Sequence, residues 1–343
     1  MSDNLSFYEH SKSETPLSIV SVPFELGSDV RGLSDTPRYL FESGLEKMLS
    51  TIGANVASFE TIECPDGREA SGRFPKHMRE TAAVARAASE AVSDMRRRGE
   101  KVLALCGDHA SAIGTIKGAA AAEEIGVIYL DAHPDILTHE NTISGNTHAM
   151  VSSAALGMGH ESLACAGGIV RPEHFLYIGM KDFDEPEIRA LRSSGTRFIT
   201  MLDIALHGLS EAVAAIDELR RKVGSVWISM DMDSVDKMYA PGVAMPCEGG
   251  FTRREISALA RYIGKTCVVA GMDVVEMLPG NDVEGKTAGL AVELIALFLG
   301  AEYTWYRGYM RPYEAMRGQA QGAKPSRRTS RAALPRTSAS RRS

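Results

Sequence analysis

Strand-like and helix-like segments take turns along almost the whole chain, and this alternation restricts the fold more than any other feature of the sequence. Apolar runs at residues 17–24, 101–106, 126–130, 175–179, 197–200, 225–230 and 266–272 have the short length and Val, Ile, Leu and aromatic content of buried strands. Between them, residues 37–49, 78–98, a small-residue segment ending at Ala122, and residues 185–193, 209–223, 252–263 and 287–299 read as helices. Residues 61–75 read as a polar loop. A strand that feeds a helix and then another strand makes a crossover, which joins parallel neighbours. The expectation is an α/β fold with a single doubly wound, mostly parallel sheet and helices on both faces. In such a sheet the binding crevice opens at the carboxyl ends of the strands.

The chain of 343 residues is long enough for one large domain or two smaller ones. With no internal repeat and no linker, one domain over residues 17–317 is the simplest reading. Residues 1–16 are expected to be an N-terminal extension and residues 318–343 a basic, disordered tail. From Gly318 onward the chain carries Lys324, six arginines and no acid, and such a Ser/Arg/Pro-rich end buries too little apolar surface to order itself. No aromatic residue is interleaved there for base stacking, so a nucleic acid is not an expected partner. No apolar run reaches the roughly 20 residues of a membrane helix. The polar start lacks the basic-then-apolar layout of a signal peptide. The expected location is the cytoplasm, with no membrane partner. Five scattered cysteines without a CxxC pair argue against a disulfide frame or a thiolate-bound metal.

Three of the strand-like runs end in Asp or His. Run 126–130 leads into Asp131, His133 and Asp135 at every second position. If the strand continues through them, all three side chains share one face. His109 follows run 101–106, and Asp231 and Asp233 follow run 225–230, again at alternate positions. Four carboxylates and two imidazoles delivered to one sheet edge, without a thiolate, suit two divalent cations that share carboxylates. This oxygen-rich set favours two Mn2+ ions, with Co, Ni or Fe as alternatives. Water held between two such ions loses a proton near neutral pH and becomes a nucleophile.

Taken together, the motifs resemble the ureohydrolase family, whose members include arginases and agmatinases, and the pattern is that of an arginase. GDH at residues 107–109, DAHxD at 131–135, SGNxH at 144–148, DxD at 231–233 and the late Glu276 stand in family order, and the resemblance runs over residues 19–299. It implies an arginase-like three-layer α/β/α fold and an amidinohydrolase. It further implies one metal held by His109, Asp131, Asp135 and Asp231, and a second held by His133, Asp131, Asp231 and Asp233. By the same resemblance Asp135 orients the nucleophile, His148 shuttles a proton and Glu276 pairs with the guanidinium. A carboxylate there suits a planar cation whose carbon must face the nucleophile. Ureohydrolases commonly assemble as trimers or hexamers, so a homo-oligomer is implied as well.

For the substrate, a small guanidino compound, the resemblance points to L-arginine, cleaved to L-ornithine and urea. Thr142, Ser144 and Asn146 stand where arginases hold the amino-acid end of the substrate, and Asp182 and Asp184 match the side that receives its α-ammonium group. Some residues depart from the pattern. Leu137 stands where arginases usually present Asn to the α-carboxylate, and Met245 where they usually have Thr. Cys106 and Ala110 flank GDH where the family commonly has Gly and Ser. A buried carboxylate loses on the order of 1 to 3 kcal/mol per missing partner. The alternatives are therefore an agmatinase or another guanidino hydrolase, acting on agmatine or 4-guanidinobutyrate, although agmatinases usually lack the SGNxH loop. A reading from another class is a catalytically weak homologue that regulates or binds a partner.

Overall fold

Eight strands build one sheet: β1 (Leu17–Val22), β2 (Val56–Thr61), β3 (Lys101–Cys106), β4 (Ile125–Leu130), β5 (Phe175–Met180), β6 (Arg197–Thr200), β7 (Ser225–Asp231) and β8 (Val269–Val275). Their order is β2-β1-β3-β8-β7-β4-β5-β6, and every neighbouring pair runs parallel. This computed structural model describes residues 8–9, 15–65 and 74–303. The basic tail expected at 318–343 lies outside them, as do most of the expected extension at 1–16 and residues 304–317 of the expected domain.

All residues of β1, β4, β5, β7 and β8 are buried, so these strands are covered on both faces. The covering helices are α1 (Thr36–Glu42), α2 (Leu45–Thr51), α3 (Met78–Arg97), α4 (Ala112–Ala122), α5 (Val151–Ala155), α6 (Glu161–Ala164), α7 (Glu185–Ser194), α8 (Met201–His207), α9 (Ser210–Lys222), α10 (Arg253–Thr266) and α11 (Lys286–Phe298). Among the described residues no helix is long and apolar enough to cross a membrane.

The strand order is what assembles the site. The four middle strands, β3, β8, β7 and β4, stand side by side, and their carboxyl ends carry His109, Glu276, Asp231 with Asp233, and the 131–135 loop. Register puts these ends at one level: Leu130 pairs with Met230, Asp231 with Val275, and Leu105 with Val274. Residues more than 160 positions apart in sequence thereby meet along one short stretch of sheet edge.

Several elements differ from the sequence reading, the short helices α5, α6 and α8 among those it did not include. Strand β2 went unread because it is an edge strand with most of its residues exposed, which leaves no alternation to see. The helix expected at 37–49 is two helices, separated at Gly44, whose φ of 101° a side chain would strain. The strand expected at 266–272 starts three residues later, because α10 runs on to Thr266. Strand β4 stops at Leu130, before Asp131. The strand therefore does not carry Asp131, His133 and Asp135 onto one face; a loop turns them inward, with Asp135 at φ 49°.

Candidate metal centre

Two groups of donors meet at Asp131. His109, Asp131 and Asp231 form the first, and Asp131, His133 and Asp233 the second, each with its ligand atoms within 4.8 Å of one another. His109 Nδ1 lies 3.0 Å from Asp131 Oδ2, 3.1 Å from Asp135 Oδ2 and 3.1 Å from Asp231 Oδ2. His133 Nδ1 lies 3.5 Å from Asp131 Oδ1 and 3.2 Å from Asp233 Oδ2. His109, Asp131, Asp135, Asp231 and Asp233 are buried, and His133 is half-buried. All six residues expected to hold metal are thus brought together.

Asp131 Oδ2 is buried and has no hydrogen-bond partner among the described residues, although His109 Nδ1 is 3.0 Å away. A buried carboxylate oxygen left unpaired beside a ring nitrogen and two further carboxylates suits a ligand to a shared cation. Electrostatics agrees. Burial pushes the Asp231 carboxyl well above the usual range, and the charge of Asp233 adds to it. Asp131 is raised by burial and then by Asp135. Burial works against a charged His109, yet Asp131, Asp135 and Asp231 hold its imidazole well above the ordinary value. Carboxylates this close and this buried stay ionised together only when cations compensate them, and the oxygen-rich, thiolate-free donor set fits two divalent ones.

Local structure aims each donor. Gly107 turns the chain at the end of β3 because Phe24 O occupies the place of any Cβ, 1.9 Å from where one would be built. The His109 imidazole is oriented through its other nitrogen. Nε2 is 3.1 Å from Ser229 Oγ, which donates to Asp273 Oδ1 at 2.6 Å. Asp273 is itself held by Thr115 and Trp227. That chain directs Nδ1 at the carboxylates, as outer partners of metal-binding histidines do. Tyr129, wholly buried, stacks on His109 with centroids 4.9 Å apart and donates to Asp135 Oδ2 at 2.8 Å.

The sequence reading gave no role to Ser229, Asp273 or Tyr129. A signal was present for two of them: Asp273 is an acid inside an otherwise apolar run, and Tyr129 stands two residues before Asp131.

Glu276 and His148 flank the cluster. Glu276 has φ 60° and is almost fully buried, the kind of strained position that marks functional sites. Its Oε1 accepts from the His109 N–H at 2.8 Å and lies 3.1 Å from His148 Nδ1. Burial opposes a charged His148, but Glu276 raises its pKa to about 9. Asp108 is pushed up to about 8 by burial and then by Glu276.

The residues expected to touch the far end of the substrate are more scattered. Thr142 Oγ1 accepts from Gly145 N, and Ser144 Oγ from Asn146 N, within one turn. Asn146 bridges Lys76 and Asp29. Asp182 Oδ2 is 3.9 Å from His133 Nε2. Asp184 is the N-cap of α7, where its N–H donates to Glu187. Leu137 is buried, whereas Met245 is exposed. Cys106 and Ala110 are both buried beside His109.

The arginase family pattern matches residues 15–300. The chain belongs to the arginase family. The arginase of Bacillus caldovelox is 33% identical over 293 residues, covering 83% of this chain and 98% of that one. Its native structure at pH 5.6 gives a TM-score of 0.80 at 32% identity, over 83% and 98% of the two chains. A crystal structure of arginase from Bacillus subtilis gives 0.77 at 30% identity, over 83% and 99%. The agmatine ureohydrolase of Thermoplasma volcanium, 20% identical with a TM-score of 0.67 over 86% and 92%, shares the fold. The protein is accordingly an amidinohydrolase of the arginase family, a family of binuclear metal enzymes.

Proposed function

We propose that this arginase-family enzyme hydrolyses L-arginine to L-ornithine and urea with two Mn2+ ions. The observation that carries the reading is the pair of donor groups joined at Asp131, with His148 and the His109 N–H meeting beside them on one oxygen of Glu276. His109, Asp131, Asp135 and Asp231 would hold one ion, and His133, Asp131, Asp231 and Asp233 the other. When bound, the ions supply Lewis acidity and a water acidic enough to act as nucleophile near neutral pH.

The remaining work falls to the chain. Asp135, its Oδ2 fixed by Tyr129, orients the nucleophile. Glu276 pairs with the guanidinium and sets the direction its carbon faces; the bonds from His109 N and His148 keep the carboxylate from turning. His148, held to about 9, carries a proton at neutral pH for the departing amine. Thr142, Ser144, Asn146, Asp182 and Asp184 hold the amino-acid end. The experiment is urea release from Mn2+-loaded protein across arginine, agmatine and 4-guanidinobutyrate; no urea from any of the three overturns the reading.

One observation favours a second substrate. Leu137 is 3% exposed and brings no donor to an α-carboxylate. A guanidino compound without that group, such as agmatine, loses nothing there. Leu137→Asn is expected to raise the arginine-to-agmatine ratio of kcat/KM by up to about tenfold, the worth of one hydrogen bond. An unchanged ratio removes Leu137 from the question.

The five free cysteines support a reducing, cytoplasmic setting. The homo-oligomer, a trimer or hexamer, is to be read from light scattering.

A further inference from the structure

His133 has two ring nitrogens, and the binuclear centre uses one. Nδ1 faces Asp131 and Asp233, while Nε2 points the other way, buried and without a hydrogen-bond partner among the described residues. A buried ring nitrogen left unpaired is costly enough to ask what it meets. Two more donors stand next to it. One ligand atom each from His133, Asp182 and Cys247 lie within 4.8 Å of one another, and Nε2 is 3.9 Å from Asp182 Oδ2.

The backbones that carry these donors are pinned. Lys181 N and Asp182 N both donate to Ala132 O, at 2.8 and 3.0 Å, tying the Asp182 loop to the residue before His133. Lys237 N donates to Cys247 O at 2.9 Å, and Phe251 N to Ser234 O at 2.9 Å, closing the Cys247 loop onto the end of β7. The side chains stay reachable from solvent, for Asp182 is exposed and Cys247 half-buried.

We propose that His133, Asp182 and Cys247 form a third cation site joined to the binuclear centre through His133, selective for a thiophilic divalent ion such as Zn2+. A tetrahedral ion with bonds of about 2.0–2.3 Å sets its donors roughly 3.3–3.8 Å apart, so rotation of the Asp182 and Cys247 side chains closes the trio. Three protein ligands leave the fourth position to water. The sulfur is what separates this site from its neighbour. The six donors of the binuclear centre are oxygen and nitrogen and suit Mn2+, whereas a thiolate, an imidazole and a carboxylate favour Zn2+. Binding would release the Cys247 thiol proton and the His133 Nε2 proton to solvent, leaving a thiolate sulfur, a carboxylate oxygen and a ring nitrogen as the donors.

The effect on turnover rests on the proposed function; the site itself does not. With Asp182 engaged by the ion, the guanidino substrate loses one of the groups proposed to hold its amino-acid end, so the ion inhibits.

The test uses full-length, Mn2+-loaded protein titrated with Co2+, read through the thiolate-to-cobalt charge-transfer band in the near ultraviolet. Exchange of Co2+ into the thiolate-free binuclear centre produces no such band. Expected are a band saturating at one equivalent, its loss in Cys247→Ser, its retention in Cys165→Ser, and at least about tenfold weaker binding in Asp182→Asn. A missing band, or one that persists in Cys247→Ser, overturns the site. In parallel, Zn2+ is expected to inhibit urea release at concentrations at least about tenfold lower in the unsubstituted protein than in Cys247→Ser. Equal inhibition overturns the regulatory consequence. If no guanidino substrate turns over, the proposed function fails and the cobalt band still decides the site.

Discussion

The metal centre and the proposed substrate rim meet at His133, yet they are built in opposite ways. Five of the six donors in the centre are buried at the carboxyl ends of adjacent strands, and the single hydrogen bonds that Asp131, Asp135, Asp231 and Asp233 accept nearby do not account for so much clustered charge. On the rim, Asp182, Asp184, Ser144 and Met245 are exposed. The buried rim residues, Thr142 and Asn146, already serve a turn and a bridge to Lys76 and Asp29. Buried like charges persist only where something compensates them, so the centre has essentially one explanation. Thr142, Ser144, Asn146 and Asp184 each have a local structural explanation that competes with a binding role. The two regions should therefore respond differently to substitution.

Asp231→Asn should give the largest effect. Asp231 is shared by both proposed ion positions, so its loss removes charge from each. Even outer partners of metal ligands cost about 10- to 100-fold in affinity, and this ligand is expected to cost at least about 100-fold, with urea release falling below detection. Metal content by mass spectrometry and activity on the same sample check it. Two ions retained at full occupancy would break the comparison, because the buried charge would then have some other purpose.

His148 tests whether the boundary residue works with the centre. His148→Asn is expected to lower kcat by about 100-fold or more, the usual reach of a general acid, with metal content unchanged. The pH dependence has a definite sign. Glu276 raises His148 to about 9, so a step that needs the protonated imidazole is lost as pH rises through that value. Glu276→Gln removes the raising charge, and the residual activity should fall off at a lower pH. A basic limb that stays in place would assign it to another group.

Tyr129→Phe deletes only the hydroxyl that donates to Asp135 Oδ2 and leaves the ring stacked on His109. Apparent Mn2+ affinity is expected to fall about tenfold, with little change in thermal stability. Calorimetric titration of the ion distinguishes this from a packing defect, which would lower stability and leave affinity intact.

The same contrast explains what could be read from the sequence. Donors at alternate positions after apolar runs exposed the centre, because a parallel sheet delivers strand ends to one edge whatever the details of the loops. The premise for 131–135 was nonetheless incorrect, since β4 ends at Leu130 and the loop turns the donors inward. The convergence came from strand order, with β3, β8, β7 and β4 adjacent, and no local pattern encodes that. Edge strand β2 was illegible because few of its side chains are buried. Asp273, Ser229 and Tyr129 carry their roles through contacts between strands, visible only once register is known. Rim residues such as Asp184 matched a family pattern, but a match does not separate a ligand from a helix cap.

Asp184 allows that separation with the smallest expected effect. It occupies the N-cap of α7, and its N–H is received by the Glu187 carboxylate. Asn caps a helix about as well as Asp, whereas Ala costs about 1 kcal/mol. Asp184→Asn should therefore leave the melting temperature unchanged and remove only the charge, while Asp184→Ala should lower both stability and charge. If Asp184 receives the substrate's ammonium group, the two variants raise KM for arginine by the same few-fold factor, about 1 kcal/mol for a partly exposed pair. They then differ only in melting temperature. If capping is its whole role, KM stays at its original value in Asp184→Asn, and any change in Asp184→Ala follows the loss of α7. The first outcome extends the functional surface outward from His133 to the helix terminus; the second draws its boundary at Asp182.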